Sequence, residues 1–266
     1  LGPPRACQES MPLPPSDSTE AAAAPGPEAS LPAPTKRRLF ACLGSRCAVC
    51  AAWPAARLCA DCVSRLAPAV PRCQRCALRV PDGVAVCGAC LRHPGPLQAC
   101  AAAVDYAYPW DKIVAAFKFE GDPGWARPLA GLLSRCDAAE ALRSAADWVL
   151  PVPLSDARLR TRGFQQTALL AQAWAGQQAQ TRWLLRLRDT PSQAGLPRQA
   201  RLRNLQGALA LEPAHAHRVR GQRLLLLDDV MTTGATLDAA AQVLWDAGAR
   251  QVSAVVLART PAPGSA

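Results

Sequence analysis

The most informative stretch of the chain is residues 224–236, Leu-Leu-Leu-Leu-Asp-Asp-Val-Met-Thr-Thr-Gly-Ala-Thr. Its apolar start predicts a strand covered on both faces, in the middle of a parallel sheet. Two acids follow at the carboxyl end, then a small, hydroxyl-rich loop and the start of a helix. Ligands of such sheets bind beyond the carboxyl ends of strands, where a helix N-terminus offers unpaired N–H groups. We therefore predict an anion site, with Asp229 on a solvent-facing loop.

Each residue type in this loop suits a phosphorylated sugar. Gly234 permits a close backbone approach, and threonine hydroxyls can donate hydrogen bonds to phosphate. Carboxylates such as Asp228 and Asp229 suit a ribose diol or a magnesium ion. Taken singly, the same residues are equally typical of a capped turn.

Taken together, the nine positions 228–236 resemble the 5-phosphoribosyl pyrophosphate (PRPP) loop of type I phosphoribosyltransferases. The resemblance implies that Asp228 and Asp229 hold the ribose hydroxyls, with magnesium accompanying PRPP. It also implies that the 5′-phosphate is bound by Thr232, Thr233, Gly234, Ala235 and Thr236. Transferases acting on 6-oxopurines usually carry an aspartate at the position of Thr232, so the resemblance does not extend to purine salvage.

The sequence around this stretch alternates between strand and helix patterns. Alternation of this kind predicts an α/β fold in which a parallel sheet is flanked by helices, here the type I phosphoribosyltransferase fold. We predict strands at residues 103–106, 148–152, 183–187, 223–227 and 252–257. We predict helices at residues 128–136, 163–178 and 236–247, the last ended by Gly248.

A basic segment precedes the predicted helix at residues 163–178. Arg158, Arg160 and Arg162 lead into Arg-Gly-Phe-Gln-Gln at 162–166, and arginine at a helix entrance suits pyrophosphate. Alternatively, this is a solvated basic loop. The motif resembles the ComF (competence protein) family, where it normally reads Arg-Gly-Phe-Asn-Gln, so Gln165 is a departure. Residues 117–122 resemble the same family, which implies pyrophosphate binding by Lys118, Arg158 and Arg162.

Residues 190–207 resemble ComF proteins as well, in a region that lies near a flexible loop over the active site of that family. The resemblance implies that Arg198, Arg201 and Arg203 close on pyrophosphate or on a nucleic-acid backbone. An exposed basic loop is the alternative interpretation.

Four Cys-x-x-Cys pairs lie between residues 47 and 90. Two such pairs supply the four thiolates of a closed zinc site, so one or two structural zinc ions are predicted. The spacing is compatible with successive or cross-braced pairing, and dithiol redox chemistry is the rival function. The predicted ligands are Cys47, Cys50, Cys59, Cys62, Cys73, Cys76, Cys87 and Cys90.

These segments predict three regions. Residues 1–38 are rich in proline and alanine and are predicted to be disordered. Residues 42–100 form a zinc-ribbon-like module, and residues 101–260 form the phosphoribosyltransferase-like domain. The same order resembles ComF proteins over roughly residues 42–260. We predict a cytoplasmic protein, because no apolar run reaches bilayer length and no secretory signal is visible, although a first residue of Leu1 suggests a truncated or mis-started frame.

Two functions are compatible with these features. The formal net charge of +10 favours phosphate-bearing partners, although a GC-rich genome also raises arginine content. The first function is a ComF-type protein that binds PRPP and supports DNA uptake or the handling of single-stranded DNA. The alternative is an active phosphoribosyltransferase that joins a nitrogen nucleophile to the ribose; no general base is evident, so its catalytic residues are unknown. A plain zinc-finger nucleic-acid binder would leave residues 228–236 unexplained.

Overall fold

The computed structural model describes residues 45–188 and 207–262. Three short 3₁₀ helices at Pro123–Trp125, Gly176–Gln178 and Pro213–His215 connect the main elements. In chain order the main elements are α1 (Ala60–Leu66), α2 (Gly88–Arg92), β1 (Cys100–Asp105), α3 (Trp110–Phe119), α4 (Ala126–Ser134), α5 (Asp137–Ala145), β2 (Trp148–Pro151), α6 (Asp156–Arg162), α7 (Gln166–Ala175), β3 (Leu184–Arg186), β4 (Leu209–Leu211), α8 (Ala216–Val219), β5 (Arg223–Met231), α9 (Ala235–Asp246) and β6 (Gln251–Arg259).

A four-stranded parallel sheet in the order β1-β6-β5-β2 forms the centre of the described chain. Its strands are paired in parallel throughout. Strand β5 lies between β6 and β2, as its uninterrupted apolar sequence predicts, and Leu224 to Leu227 are all buried. The predicted α/β fold with a parallel sheet is therefore confirmed.

One predicted strand does not belong to this sheet. The segment at residues 183–187 forms the short strand β3, which pairs antiparallel with β4 in a separate two-stranded sheet. The outer edge of β2 is instead covered by residues 179 and 180, because Gln180 donates its backbone N–H to the carbonyl of Val149 at 2.8 Å. Because this edge of β2 is already hydrogen-bonded, the backbone groups of β3 pair with those of β4 instead.

Helices cover both faces of the parallel sheet. On one face, Leu225 and Leu227 of β5 pack with residues of α3, α4, α5 and α7. On the other face, Leu224 and Leu226 pack with α9 and with the β3-β4 hairpin. This two-sided burial holds β5 rigidly, so its carboxyl end and the loop that follows are fixed relative to the core.

The cysteine-rich segment packs against the elements that surround the sheet. The Trp110 indole N–H, at the start of α3, donates to the Leu66 carbonyl at 2.8 Å. The Trp245 indole N–H, in α9, donates to the Pro96 carbonyl at 2.9 Å. Contacts group the described residues, 45–188 and 207–262, into one compact unit.

Helix boundaries follow local capping. Helices α4 and α9 lie within two residues of their predicted bounds, and Gly248 adopts a φ of +87° after α9, as expected. The helix predicted at 163–178 begins later, at Gln166, because Gly163 has a φ of +76° and ends the preceding helix α6. None of the helices in the described ranges is long and apolar enough to cross a bilayer.

Candidate functional site

Residues 232–236, here called the phosphate loop, run from the carboxyl end of β5 into the first turn of α9. Gly234 has a φ of +84°, and a Cβ there would lie 2.5 Å from the Met231 Cε atom. Because the N-cap residue of α9 is this glycine, no side chain caps the helix start. A cavity of about 30 Å³ is lined by the loop and by Asp228. The loop thus presents the backbone N–H groups of a helix N-terminus to a small space, an arrangement that suits an anion.

The two acids occupy a different position from the one the sequence predicts. Both lie within β5, and Asp229 is only 7% exposed, so the predicted solvent-facing loop is wrong for this residue. The Asp229 carboxylate accepts an ion-paired hydrogen bond from Lys118 Nζ at 2.7 Å. Strand β5 continues to Met231 because β6 pairs with it along its whole length. Asp228 and Asp229 therefore lie within the sheet and not after it.

Asp228 is half-buried beside Asp229, and its Oδ1 atom accepts the backbone N–H of Asp229 at 2.8 Å. Burial raises the pKa of Asp228 to about 7, with the negative charge of Asp229 adding to the shift and Lys118 opposing it. Adjacent carboxylates held in this way supply the hard oxygen ligands that magnesium prefers. They also suit the hydroxyls of a ribose, so the donor set fits both parts of a magnesium-bound phosphoribosyl ligand.

Lys118 and Arg162 both lie near Asp229, and Gln166 connects them. Arg162 Nη1 donates to Gln166 Oε1 at 3.2 Å, and Gln166 Nε2 donates to the Lys118 carbonyl at 3.3 Å. Burial lowers the pKa of Arg162, and the negative charge of Asp229 opposes this shift. We call Asp228, Asp229, Lys118 and Arg162 the charged cluster. Its two cations suit a pyrophosphate group beside the acids.

Arg158 and Arg162 are carried by a helix and not by a loop at a helix entrance, which corrects the sequence interpretation. Both lie on α6, whose N-cap Ser155 accepts the backbone N–H of Arg158 at 3.4 Å. The signal was available, because serine followed by aspartate starts a helix and glycine ends one. Arg158 is half-buried and Arg160 is exposed.

The cysteines form two groups of four, each made from successive pairs. In each group the sulfur atoms all lie within 4.8 Å of one another. Sulfurs on a tetrahedron with metal–sulfur bonds of about 2.3 Å are separated by about 3.8 Å, and the Cys50–Cys59 and Cys76–Cys87 pairs are both 3.7 Å apart. Both sites therefore fit a zinc ion. The first cluster is Cys47, Cys50, Cys59 and Cys62, and the second cluster is Cys73, Cys76, Cys87 and Cys90.

Backbone N–H groups point at the sulfurs, as a thiolate cage requires. The N–H of Cys59 lies 3.5 Å from Cys47 Sγ, and the N–H of Cys87 lies 3.3 Å from Cys73 Sγ. Burial raises the pKa of Cys47 and Cys73, but backbone hydrogen bonds outweigh burial and lower both values. The backbone hydrogen bonds therefore favour the thiolate form of these two sulfurs.

Sequence reasoning missed two buried residues at the site. Gln166 is fully buried and links Lys118 to Arg162, and Arg259 is 5% exposed below the phosphate loop. A charge directly after an apolar run, as Arg259 follows residues 254–258, is a signal that could have identified it. The predicted loop arginines Arg198, Arg201 and Arg203 lie outside the described residues.

A larger cavity, of about 430 Å³, lies elsewhere, between the cysteine-rich segment, β1 and α5. Its walls are mainly apolar, and they include none of the residues predicted to bind PRPP. The larger cavity therefore lies apart from the residues that the sequence predicts to bind PRPP.

Comparison with known proteins places this arrangement in context. Residues 189–265 match the family described as phosphoribosyl transferase domain. The chain is 34% identical over 210 residues to the DNA utilization protein YhgH of Salmonella typhimurium, covering 76% of this chain and 90% of that protein. It is 28% identical over 215 residues to competence protein F of Haemophilus influenzae, with the same coverage of 76% and 90%. A shorter stretch of 52 residues is 52% identical to the adenine phosphoribosyltransferase of Nocardia farcinica, covering 19% of this chain and 27% of that enzyme.

Proposed function

This chain belongs to the ComF family of phosphoribosyltransferase-like proteins, and from that premise we propose that it binds PRPP and acts in DNA uptake or single-stranded DNA handling. The observation that carries the proposal is the juxtaposition of the phosphate loop with the charged cluster at the carboxyl end of β5. One half suits a terminal phosphate, and the other suits a ribose diol, magnesium and pyrophosphate.

Within this proposal the residues have separate tasks. The phosphate loop, through Thr232, Thr233, Gly234, Ala235 and Thr236, receives the 5′-phosphate on backbone N–H groups and hydroxyls. Asp228 and Asp229 hold the ribose hydroxyls, and Lys118, Arg158 and Arg162 bind the pyrophosphate. A magnesium ion would neutralise charge on the pyrophosphate when bound with PRPP.

The test is calorimetric titration of the full chain with PRPP, with and without magnesium. We expect one PRPP per chain and tighter binding with magnesium, while ribose 5-phosphate and pyrophosphate each bind more weakly than the whole ligand. A chain that binds none of the three would disprove the PRPP proposal.

The DNA part of the proposal is supported by the names of the relatives, a DNA utilization protein and a competence protein, and by exposed arginines such as Arg160 and Arg182. Contacts between arginine and phosphate release counterions, so affinity for single-stranded DNA should fall steeply as salt rises. Binding to a labelled oligonucleotide at several salt concentrations measures this. If the chain does not bind the oligonucleotide at low salt, the DNA part of the proposal is wrong and only PRPP binding remains.

The alternative function is transfer of phosphoribose to a nitrogen nucleophile. Because the site consists mainly of groups that position the donor and stabilise charge, such an enzyme would need few acid or base residues. Release of pyrophosphate from PRPP on addition of candidate nitrogen acceptors would favour this alternative.

We propose that the two cysteine clusters hold structural zinc, because four thiolates in each leave no open position for catalysis. Metal analysis of the purified chain should find between one and two zinc ions. A metal content near zero after purification under reducing conditions would contradict this assignment and favour dithiol chemistry.

A further inference from the structure

Arg259 is a buried charge at the end of the buried strand β6. A guanidinium that is only 5% exposed must satisfy its N–H groups within the protein. Arg259 does so with backbone carbonyl groups, those of Cys76, Met231, Thr232 and Thr260. Because all of these acceptors belong to the backbone, Arg259 fixes the positions of the backbone segments around it.

The Arg259 side chain spans the space between the second cluster and the phosphate loop. Its Nε atom donates to the carbonyl of the cluster residue Cys76 at 2.8 Å. Its Nη1 atom donates to the Met231 carbonyl at 2.9 Å and also to the carbonyl of Thr232, the first residue of the loop. One rigid, planar group thus fixes the distance between a metal-binding knuckle and the start of the loop.

A second route connects the same two regions. The backbone N–H of Cys100 donates to the Gln74 carbonyl, inside the second cluster's first knuckle, at 2.7 Å. The Cys100 Sγ atom lies 3.8 Å from Met231 Sδ, and the Met231 methyl group lies directly beneath Gly234. Displacement of the knuckle would therefore disturb the floor of the loop as well as its first carbonyl groups.

The space between these regions is not filled by side chains. A cavity of about 160 Å³ is lined by Cys76, Cys90, Met231, Thr233 and Arg259, among others. Because packing is incomplete there, the hydrogen bonds of Arg259 add to the apolar contacts that join the second-cluster segment to Met231.

The first cluster is attached at a different place. Arg57, between its two knuckles, forms an ion pair with Asp122 and stacks over the Trp125 ring at 3.7 Å. These contacts reach the turn between α3 and α4, on the charged-cluster side of the site. The two cysteine clusters therefore have the same ligands and different structural connections.

We propose that Arg259 is a positioning residue that couples the second cluster to the phosphate loop, so that the state of this cluster sets the loop's affinity for a terminal phosphate. The proposal rests on the proposed PRPP function and adds a control of the same site. A metal in the second cluster would hold the Cys76 knuckle in place. Loss of that order would release the Cys76 end of the Arg259 bridge, so that the guanidinium bonded to the first loop carbonyls would no longer be held in a fixed position.

The first test is Arg259→Lys in the full chain, because lysine keeps the charge but cannot bridge the separated carbonyls. Affinity for ribose 5-phosphate should fall about tenfold or more, since a lost charged hydrogen bond costs about that much, while affinity for pyrophosphate and the metal content stay unchanged. The matched control is Arg223→Lys, at the opposite end of the sheet, where Arg223 pairs with Asp147 at 2.7 Å. Equal affinity loss for both ligands would indicate general destabilisation and overturn the proposal.

The second test compares Cys76→Ser with Cys50→Ser, one ligand from each cluster. We expect the Cys76 variant to lose affinity for ribose 5-phosphate and the Cys50 variant to retain it, although each loses metal from its own cluster. Equal effects of the two substitutions would overturn the assignment to the second cluster. If Cys76→Ser does not fold, the coupling between the second cluster and the phosphate loop is tested by Arg259→Lys alone.

Hydrogen exchange separates this proposal from the PRPP function itself. If the parent chain binds no PRPP, ribose 5-phosphate or pyrophosphate, the proposed function fails, but the mechanical coupling is still measured by amide exchange in residues 231–236. Arg259→Lys should accelerate exchange there, and Arg223→Lys should not. Unchanged exchange in the Arg259 variant would disprove the coupling whether or not the chain binds PRPP.

Discussion

The phosphate loop and the charged cluster lie side by side at the end of β5, but they are built from different groups. The loop relies on a glycine with a φ of +84°, an uncapped helix start and small hydroxyl side chains. The charged cluster relies on long or acidic side chains that already pair with one another, such as Lys118 with Asp229 at 2.7 Å. The loop can bind an anion with little rearrangement. In the charged cluster, by contrast, the side chains must break ion pairs with one another before they can bind a ligand.

This difference predicts how each half responds to substitution. Removing a charge from the cluster leaves its partner buried and unpaired, so binding and folding suffer together. Changing the loop removes one donor or adds local strain, so binding should suffer while the fold is retained.

Asp229→Asn should lower PRPP affinity by at least about 100-fold and also lower the melting temperature, because Lys118 loses its buried partner. This differs from the expectation for an exposed acid, whose loss would spare folding. Calorimetry and thermal unfolding measure the two effects. The double variant Lys118→Met with Asp229→Asn should recover stability without recovering affinity. A single variant as stable as the parent would show that the ion pair does not support the fold.

Thr233→Val should weaken PRPP binding by roughly 10- to 100-fold, the usual value of a hydrogen bond to a charged group. The substitution removes a hydroxyl at nearly constant volume, so the melting temperature should change little. The loss should be similar for ribose 5-phosphate and absent for pyrophosphate. An equal loss for pyrophosphate would mean that the two halves are not separate.

The pH dependence of PRPP binding should report on Asp228. Its pKa is raised to about 7 in the free protein, so lowering the pH from 8 to 6 protonates it and should weaken PRPP binding by about tenfold. The folded pKa lies above the unfolded value, so this residue's contribution to stability is fully present below its ordinary pKa of 3.8 and is lost as the pH rises from there to about 7. Asp228→Asn should flatten the pH dependence of PRPP binding and the pH dependence of stability. A parent profile unaffected by this substitution would assign the titration to another group.

Gly234→Ala should produce the smallest effect, about five- to tenfold weaker PRPP binding, from the cost of a positive φ in a residue with a Cβ. The new methyl group would press on the Met231 Cε atom, which is the flexible end of a side chain and can move. The matched control is Gly131→Ala in α4, where a Cβ meets nothing within 4 Å. A Gly234 variant that binds like the Gly131 variant would show that the loop tolerates the strain.

The sequence predicted the features of this protein that depend on local pattern. The four leucines of β5 could only suit a strand buried on both faces, and the Cys-x-x-Cys repeats identified all eight thiols that the structure brings together. The order of acids, threonines and glycine in residues 228–236 likewise located the phosphate loop. In each case the chemistry lies within a few neighbouring residues, so spacing alone carries the information.

Tertiary structure decided the features that depend on contacts between distant segments. The burial of Asp229 follows from the pairing of β5 with β6, and its partner Lys118 comes from a helix 111 positions earlier in the chain. The choice between successive and cross-braced cysteine pairing depended on how the knuckles pack. Arg259 acquired its role only because β6 brings it between Cys76 and Met231, residues separated by 155 positions. Local sequence fixes what a segment can form, but a buried charge takes its function from partners that only the folded chain brings within hydrogen-bond distance.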